Sequence, residues 1–234
     1  FPAIRSLSGR SLRRQLDGYV TRIIDADFHE QGYAVRRPEV LSSWMKAYAA
    51  ATSTTASFDT IRDAATGGRG DKPAKTTTQP YRDVLRKLWI VDPLPPWLPS
   101  RNILNRLGQS PKHHLADPAL AVRVLGLDGN ALLFGEESNM PVPRDSTLLG
   151  NLFESLVTLC ARVYAQTAEA NVRHLRLHGG RREIDLIVER GDGKVLAIEA
   201  KLGGTVDDEG VKHLRWLREE LGGNLLDAVV VNTG

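Results

Sequence analysis

Three charged side chains on two neighbouring stretches of alternating apolar residues have the types and spacing of a metal-dependent phosphodiester-cleaving site. Asp185 lies in the first stretch, and Glu199 and Lys201 lie in the next, beyond the turn Gly191-Asp192-Gly193. Alternate residues of a strand share a face, so a tight hairpin brings Asp185 beside Glu199 and Lys201. Carboxylate oxygens are the ligands that Mg²⁺ prefers, and a lysine offsets charge that develops at phosphorus. A helical stretch upstream supplies a further carboxylate, Glu154.

Each of these residues has a predicted role. Asp185 and Glu199 are the expected metal ligands, Glu154 assists them, and Lys201 stabilises the pentavalent phosphate. A simple ion pair between Glu199 and Lys201 at the end of a sheet explains the same two residues without catalysis. Because apolar neighbours flank all three charged residues of the two strands, we favour a nuclease-type site, active or decayed.

The periodicity around these residues predicts an αβββαβ order of elements. The expected elements are a helix over 149–165, strands over 172–177, 183–190 and 195–202, a helix over 207–221 and a strand over 227–231. Strict alternation assigns each strand residue to a face. On the first strand it places Ile184, Leu186 and Val188 on one face and Glu183, Asp185 and Ile187 on the other. On the next strand it places Ile198, Ala200 and Leu202 on one face and Ala197, Glu199 and Lys201 on the other.

The first hundred residues have the periodicity of several helices. The expected helices cover 6–27, the segment after Pro38, the segment 57–65 and a segment that begins at Pro80. A short apolar strand is expected over 88–91. Three helices followed by a strand are the ingredients of a winged helix.

The helix that begins at Pro80, the third helix of the expected winged helix, carries the predicted DNA contacts. They are Arg82, Arg86 and Lys87, together with Lys75, which lies among threonines just before the helix. A solvated helix face paired with Asp83 explains the same charges, so both interpretations stay open.

Composition limits the class of protein. The 234 residues are 41% hydrophobic and carry a net charge of +3, as soluble globular chains do. Residues 1–117 hold 18 basic and 11 acidic side chains, and residues 118–234 hold 13 basic and 17 acidic ones. This asymmetry suggests an anionic partner for the first half, and random variation of surface charge explains it equally well. No apolar run approaches the ~18 residues of a membrane span. The single cysteine, Cys160, is expected in the core, and a cytoplasmic location is expected.

The last 85 residues resemble the PD-(D/E)XK nuclease-like superfamily. The resemblance rests on Glu154, Asp185 and the Glu199-Ala200-Lys201 motif, in the same element order. It implies a restriction-endonuclease-like fold that uses Mg²⁺. The helix after the third strand offers Lys212, His213 and Arg215 without a clear match to the superfamily pattern.

The whole chain resembles the C-terminal part of a family of prokaryotic AAA-type ATPases that ends in a domain of unknown function. The motifs that carry this resemblance are Tyr19, Arg22 and Asp25; Val91 to Trp97; Pro111, Lys112 and Asp117; and Gly150, Leu152 and Glu154. The resemblance implies an upstream ATPase module that is absent from this chain, so ATP is expected only in that module. It implies that the arginines Arg10, Arg13, Arg14 and Arg22 face the missing module.

The expected organisation follows from both resemblances. Residues 1–37 form a helix that leads from the ATPase module, 38–100 a winged-helix-like domain, 101–145 a connecting region and 146–234 the nuclease-like domain. The fold class is α+β or α/β, with a helical domain followed by the αβββαβ domain.

The expected function is ATP-controlled work on DNA through a winged helix and a Mg²⁺-dependent nuclease-like domain. The alternative is an inactive nuclease-like module that binds DNA or a protein for the ATPase. A transcription regulator would need base readout and a dimer for two half-sites. The expected partners are DNA and the chain's own ATPase module, with no membrane, and the sequence leaves open whether copies form a homo-oligomer.

Overall fold

The chain folds into two compact units, each built from separate segments. The structure is a computed structural model that describes residues 4, 6–66, 72–99, 109–134, 147–177 and 180–234. The helical unit comprises 1–52, 56–92 and 114–142, and the sheet unit comprises 53–55, 93–113 and 143–234. The predicted domain boundaries stay a prediction. Much of the predicted connecting region, 101–108 and 135–145, lies outside the described residues.

Helices form the helical unit, and several of them begin at a side-chain cap or a proline. Their bounds are α1 Gly9–Arg22, a π-helical turn Ile23–Asp27, α2 Phe28–Glu30, α3 Pro38–Ala50, α4 Phe58–Ala64, α5 Lys75–Lys87, α6 Pro118–Leu125 and α7 Gly129–Phe134. Ser57 caps α4 by accepting a hydrogen bond from the Thr60 N–H, and Asp117 caps α6 by accepting one from the Ala119 N–H. The predicted helices over 6–27, after Pro38 and over 57–65 are thereby confirmed.

Two predictions around α5 are wrong. The helix begins at Lys75 rather than at Pro80, because Ala74 is extended and its carbonyl already accepts from the N–H groups of Thr77 and Thr78. Lys75 therefore lies in the first helical turn, and not in a loop. The expected strand over 88–91 does not form, since Trp89 adopts a positive φ of 57° and only Val91 makes a bridge, to Leu115.

Helices on both sides of one four-stranded sheet form the sheet unit. The elements are α8 Thr147–Thr167, β1 Asn171–Leu177, β2 Arg182–Glu189, β3 Val195–Lys201, α9 Lys212–Leu221, a 3₁₀ turn Gly222–Asn224 and β4 Leu225–Asn232. The strand order is β1-β2-β3-β4; the first three are antiparallel neighbours, and β4 runs parallel to β3. The predicted αβββαβ order and the α+β class are confirmed. The predicted helix over 207–221 begins five residues late.

Each face of the sheet buries its own apolar cluster. On one face Val157 and Ala161 of α8 pack with Leu186 of β2. On the other face Leu214 and Leu217 of α9 pack with residues of three strands, namely Leu175, Ile184, Ile187, Val195 and Ala197. The sheet is therefore held between two helices.

Helix α8 corrects two expectations. Residues 148–167 are long and apolar enough, by length and composition alone, to cross a membrane. Val157, Ala161 and Ala165 nevertheless pack against the sheet, as they do in the core helix of a globular domain. Cys160 is exposed rather than buried, because it lies on the outward side of this helix.

Candidate functional site

A β-bulge in β2 positions the first predicted metal ligand. Arg173 of β1 pairs with Ile187, but Leu175 pairs with Ile184, so Asp185 and Leu186 together lie opposite one residue of β1. Ile184 consequently packs with Ile187 against α9, while Leu186 packs against α8. The predicted grouping of Ile184 with Leu186 is wrong, because strict alternation assumes a strand without a bulge.

Asp185 contacts charged groups on both sides as a result. Its Oδ1 accepts from the Lys112 ammonium at 3.1 Å, and its Oδ2 accepts from the Ala200 N–H at 3.0 Å. A further hydrogen bond joins it to Glu199. One carboxylate therefore links the end of β3 to the segment around Lys112.

Glu199 and Lys201 lie where β3 ends, as predicted. Lys201 Nζ is 3.2 Å from Glu199 Oε2, the glutamate side chain is 7% exposed and the lysine side chain is 42% exposed. Together with Asp185 and His213 they line an open groove of about 480 Å³, which we call the groove. The structure therefore brings Asp185, Glu199 and Lys201 together with one buried end and one end open to solvent.

Glu154 belongs to a different part of the site. Its Oε1 accepts a hydrogen bond from Lys112 Nζ at 2.8 Å. The same ammonium lies 3.1 Å from Asp185 Oδ1 and 3.3 Å from Glu183 Oε1, and its side chain is only 1% exposed. We call Lys112, Glu154, Glu183 and Asp185 the inner cluster.

Sequence reasoning missed Lys112 as a site residue. It appeared only in the motif Pro111-Lys112…Asp117, and no local pattern links it to residues 42 and 73 positions away. The acidic member of that motif, Asp117, caps α6 instead. Only the fold could reveal the contact, because it is entirely long-range.

Backbone hydrogen bonds on both sides fix the position of Lys112. Its N–H donates to the Leu94 carbonyl at 3.0 Å, and the Leu94 N–H donates back at 2.9 Å. The next residue, His113, donates to Thr54 and accepts from the Ser53 N–H, and Ser53 Oγ donates to the Asn151 carbonyl of α8. These bonds connect the backbone around Lys112 to α8, the helix that carries Glu154.

The inner cluster keeps one lysine charged and one aspartate ionised. Burial disfavours the charged Lys112, but the charges of Asp185, Glu154 and Glu183 outweigh it and hold the lysine pKa above its usual value. Burial likewise acts to raise the pKa of Asp185, yet the Lys112 charge and the Ala200 N–H lower it overall. The pair therefore remains an ion pair at neutral pH.

Two other carboxyls bind protons unusually well. Burial, followed by the charge of Asp185, raises the pKa of Glu154 to about 8 and that of Glu199 to about 8. Lys112 opposes the shift in Glu154, and Lys201 opposes it in Glu199. Both glutamates are therefore largely protonated at neutral pH, and a cation that binds beside either of them would displace its proton.

Stability should consequently fall as pH rises. Between the ordinary glutamate pKa of 4.5 and the folded pKa of about 8, the folded state holds protons that the unfolded state has released. The free energy of unfolding is then expected to decrease from pH 5 to pH 8.5 in chelator, because the unfolded state binds fewer protons. Urea unfolding across this range measures it.

A matched pair of variants assigns that effect. Glu199→Gln should reduce the slope by about half, because Glu154 still contributes the other proton. Glu189→Gln, at the far end of β2, should keep the slope of the wild type. A slope that survives Glu199→Gln unchanged would contradict the raised pKa of Glu199.

The residues fit a magnesium ion only in part. Among the described residues, no three His, Cys, Asp or Glu side chains are grouped so that they could hold a metal ion. Asp185 and Glu199 nonetheless share a hydrogen bond in the groove, in which the protonated Glu199 carboxyl donates to Asp185, and a cation could take the place of that proton. Mg²⁺ is commonly held by one or two carboxylates together with waters and substrate phosphate. The groove-side pair meets that minimum.

The predicted DNA contacts differ in how freely they reach solvent. Arg86 and Lys87 are exposed at the end of α5, and Trp89 beyond them is 79% exposed. Arg82 instead lies 4.4 Å above the Phe58 ring and near Asp83, and Lys75 lies 3.2 Å from Asp59. Only Arg86 and Lys87 therefore project from the helix as unpaired cations among the described residues.

A basic cavity in the helical unit was also missed. It is lined by Arg36, Arg37 and Lys72, and by the hydroxyl-bearing Thr76 and Thr77 of α5. Glu39 pairs with Arg37, and Asp63 pairs with Lys72. Lys72 lies about 35 residues from Arg36 and Arg37, and no local sequence pattern connects them. The sequence alone therefore could not predict that they line one cavity.

The fold and site define a helical unit joined to an αβββαβ unit with a carboxylate–lysine cluster. The chain belongs to the family described as domain of unknown function DUF8612, whose model matches residues 1–131. A second family, described as domain of unknown function DUF4143, matches residues 149–234. The first match ends within α7, and the second begins within α8.

Known relatives add little about activity. Two uncharacterized proteins, one from Mycobacterium bovis and one from Mycobacterium tuberculosis, are each 26% identical to the chain over 132 residues. The match covers 56% of this chain and 28% of each relative, so the chain spans less than a third of their length. No solved structure matches the chain.

Proposed function

We propose that the sheet unit is a Mg²⁺-dependent nuclease-like module that acts on DNA bound by the helical unit. The observation that carries this proposal is the joint placement of Asp185, Glu199 and Lys201 in one open groove. The two carboxyls, which share a hydrogen bond, can bind a hard cation. The half-exposed lysine beside them can bind a phosphate at the same time.

The chain's own residues would divide the work of phosphodiester cleavage. Asp185 and Glu199 hold the cation, and Lys112 keeps Asp185 ionised for that purpose. Lys201, whose ammonium reaches solvent, donates hydrogen bonds to a phosphate oxygen and offsets its growing charge. Mg²⁺, when bound, supplies a Lewis acid and a water of lowered pKa.

The test is cleavage of labelled single-stranded and double-stranded DNA by the chain. Cutting is expected with Mg²⁺ or Mn²⁺ and none with chelator, and Lys201→Met is expected to lower the rate roughly 100-fold. An unchanged rate in Lys201→Met, or cutting that persists in chelator, would contradict the proposed site.

The helical unit is proposed to hold the DNA through Arg86 and Lys87. Each phosphate contact contributes about −0.9 to the slope of log affinity against log salt, so the double variant Arg86→Ala/Lys87→Ala should reduce that slope by roughly 2. Fluorescence anisotropy of a labelled duplex between low and moderate salt measures the slope.

The control for this prediction is a second basic pair, Arg190→Ala/Lys194→Ala, which removes the same charge from the exposed β2–β3 turn. It should leave the slope within experimental error. Equal losses in the two double variants would indicate attraction by net charge alone, and would remove α5 from the DNA-binding surface.

An upstream ATPase is proposed as the module that directs this work. Its support is the resemblance of the chain to the C-terminal part of AAA-type ATPases and the exposed arginines Arg10, Arg13 and Arg14 on α1. The chain spans less than a third of its curated relatives, which leaves length for such a module in those proteins. ATP would bind there and not in the chain described here.

The inner cluster favours a second candidate function. Lys112 already satisfies three carboxylates with a single buried charge, as a structural ion pair network does in a protein that has lost its metal. In that case the sheet unit binds DNA or a protein partner without cutting. The cleavage assay separates the two candidates, since DNA binding without metal-dependent cutting supports the second.

A further inference from the structure

We infer that Lys112 fills one cation position of the carboxylate cluster, so that the site takes one divalent ion fewer than its four carboxylates could accommodate. The inference rests on the proposed function, which makes the groove a cation site. It concerns the other side of Asp185, which contacts Lys112. It assigns Lys112 as a positioning residue, and it assigns Glu154 to Lys112 rather than to the metal ion.

The contact distances support an ammonium that acts as the central ion. Lys112 Nζ lies 2.8 Å from Glu154 Oε1, 3.1 Å from Asp185 Oδ1 and 3.3 Å from Glu183 Oε1. An ammonium has three N–H donors, and the cluster offers one carboxylate oxygen for each of them. A divalent ion at the same point would require these oxygens at about 2.1 Å and could not share the space with Nζ.

The burial of this lysine shows that the position needs a cation. Its side chain is 1% exposed, and a buried charge of this kind is stable only when its partners satisfy it fully. Glu154 and Asp185, with side chains 11% and 14% exposed, would be equally costly to bury without it. If the ammonium is removed, the carboxylates must take up protons or another cation.

Asp185 separates this inner position from the groove. Its Oδ1 serves Lys112, while its Oδ2 accepts from the Ala200 N–H on β3, the strand that carries Glu199. Glu154 and Glu183 contact Lys112, whereas Glu199 contacts Lys201. The carboxylates thus divide into an inner group with a built-in cation and a groove-side pair with a solvent-exposed one.

Counting bound Mn²⁺ by electron paramagnetic resonance tests the inference. Lys112→Ala removes the ammonium and leaves room, so it should bind one more Mn²⁺ per chain than the wild type. Lys112→Arg keeps a positive charge and should bind the same number as the wild type. A Lys112→Ala protein that folds and binds no additional Mn²⁺ would overturn the inference.

Glu154→Gln supplies an independent measurement if Lys112→Ala does not fold. Because Glu154 contacts the lysine and not the groove, this variant should bind Mn²⁺ within about threefold of the wild-type affinity. A weakening of about tenfold or more, the usual effect of a lost ligand or its immediate support, would make Glu154 part of the metal site and overturn the inference.

The outcomes separate this inference from the proposed function. Wild type that binds no Mn²⁺, with one ion in Lys112→Ala, would support the role of Lys112 and contradict the proposed nuclease. One ion in the wild type and one in a folded Lys112→Ala would contradict the role of Lys112 and support the cation site of the proposed function.

Discussion

Replacement of Asp185 by asparagine is expected to lower the rate of Mg²⁺-dependent DNA cleavage by at least about 100-fold, because Asp185 is a metal ligand in the proposed function and its loss would remove several kcal/mol of charge stabilisation. The variant keeps the shape of the side chain and an amide oxygen for the Ala200 N–H. Its cleavage rate under saturating Mg²⁺ is the quantity to measure.

Asp208→Asn is the matched control for this prediction. Asp208 is also an aspartate near the groove, but its side chain is 87% exposed and pairs with Arg215. Its loss should leave the rate within about twofold, because exposed ion pairs contribute little. Equal rates for Asp185→Asn and wild type would show that cutting, if present, arises elsewhere.

Replacement of Lys112 by methionine is expected to destabilise the chain by about 3–5 kcal/mol, because it leaves three carboxylates around an uncompensated buried position. Methionine fills most of the volume, so the loss reports charge rather than a cavity. The free energy of unfolding in urea at neutral pH, in chelator, measures the effect.

Two comparisons secure this interpretation. Lys212→Met, on the exposed start of α9, should change stability by less than about 1 kcal/mol. The double variant Lys112→Met/Glu154→Gln should recover part of the loss, since residues in one network are not additive. A loss below about 1 kcal/mol in Lys112→Met would mean that the cluster protonates freely and does not depend on the lysine.

Element order could be predicted from the sequence wherever one period dominates. The helix at 149–165 and the strands around Asp185 and Glu199 form as expected. The spacing of the apolar residues in each segment allows all of them to be buried together in only one type of element. The placement of Asp185, Glu199 and Lys201 in one groove followed from the same alternation. Their chemical roles stay a prediction.

The details that the sequence did not reveal depend on contacts between distant segments. The β2 bulge turns Asp185 toward Lys112, yet nothing in the run from Glu183 to Val188 marks it. Lys112 reaches the site because Leu94 and Thr54 fix its segment beside α8. Cys160 is exposed because α8 covers the sheet with one face only, and composition alone cannot tell the two faces apart.

The most direct single measurement is iron-mediated cleavage of the protein's own backbone. Fe²⁺ bound in a Mg²⁺ site reacts with added hydrogen peroxide to give Fe³⁺, hydroxide and a hydroxyl radical that cuts the chain next to the ligands, and added ascorbate returns the iron to Fe²⁺. Two cuts are expected, one near Asp185 and one near Glu199, and both should disappear in Asp185→Asn and in excess Mg²⁺. Cuts confined to other segments, or cuts at these positions that survive Asp185→Asn, would contradict a cation held between Asp185 and Glu199.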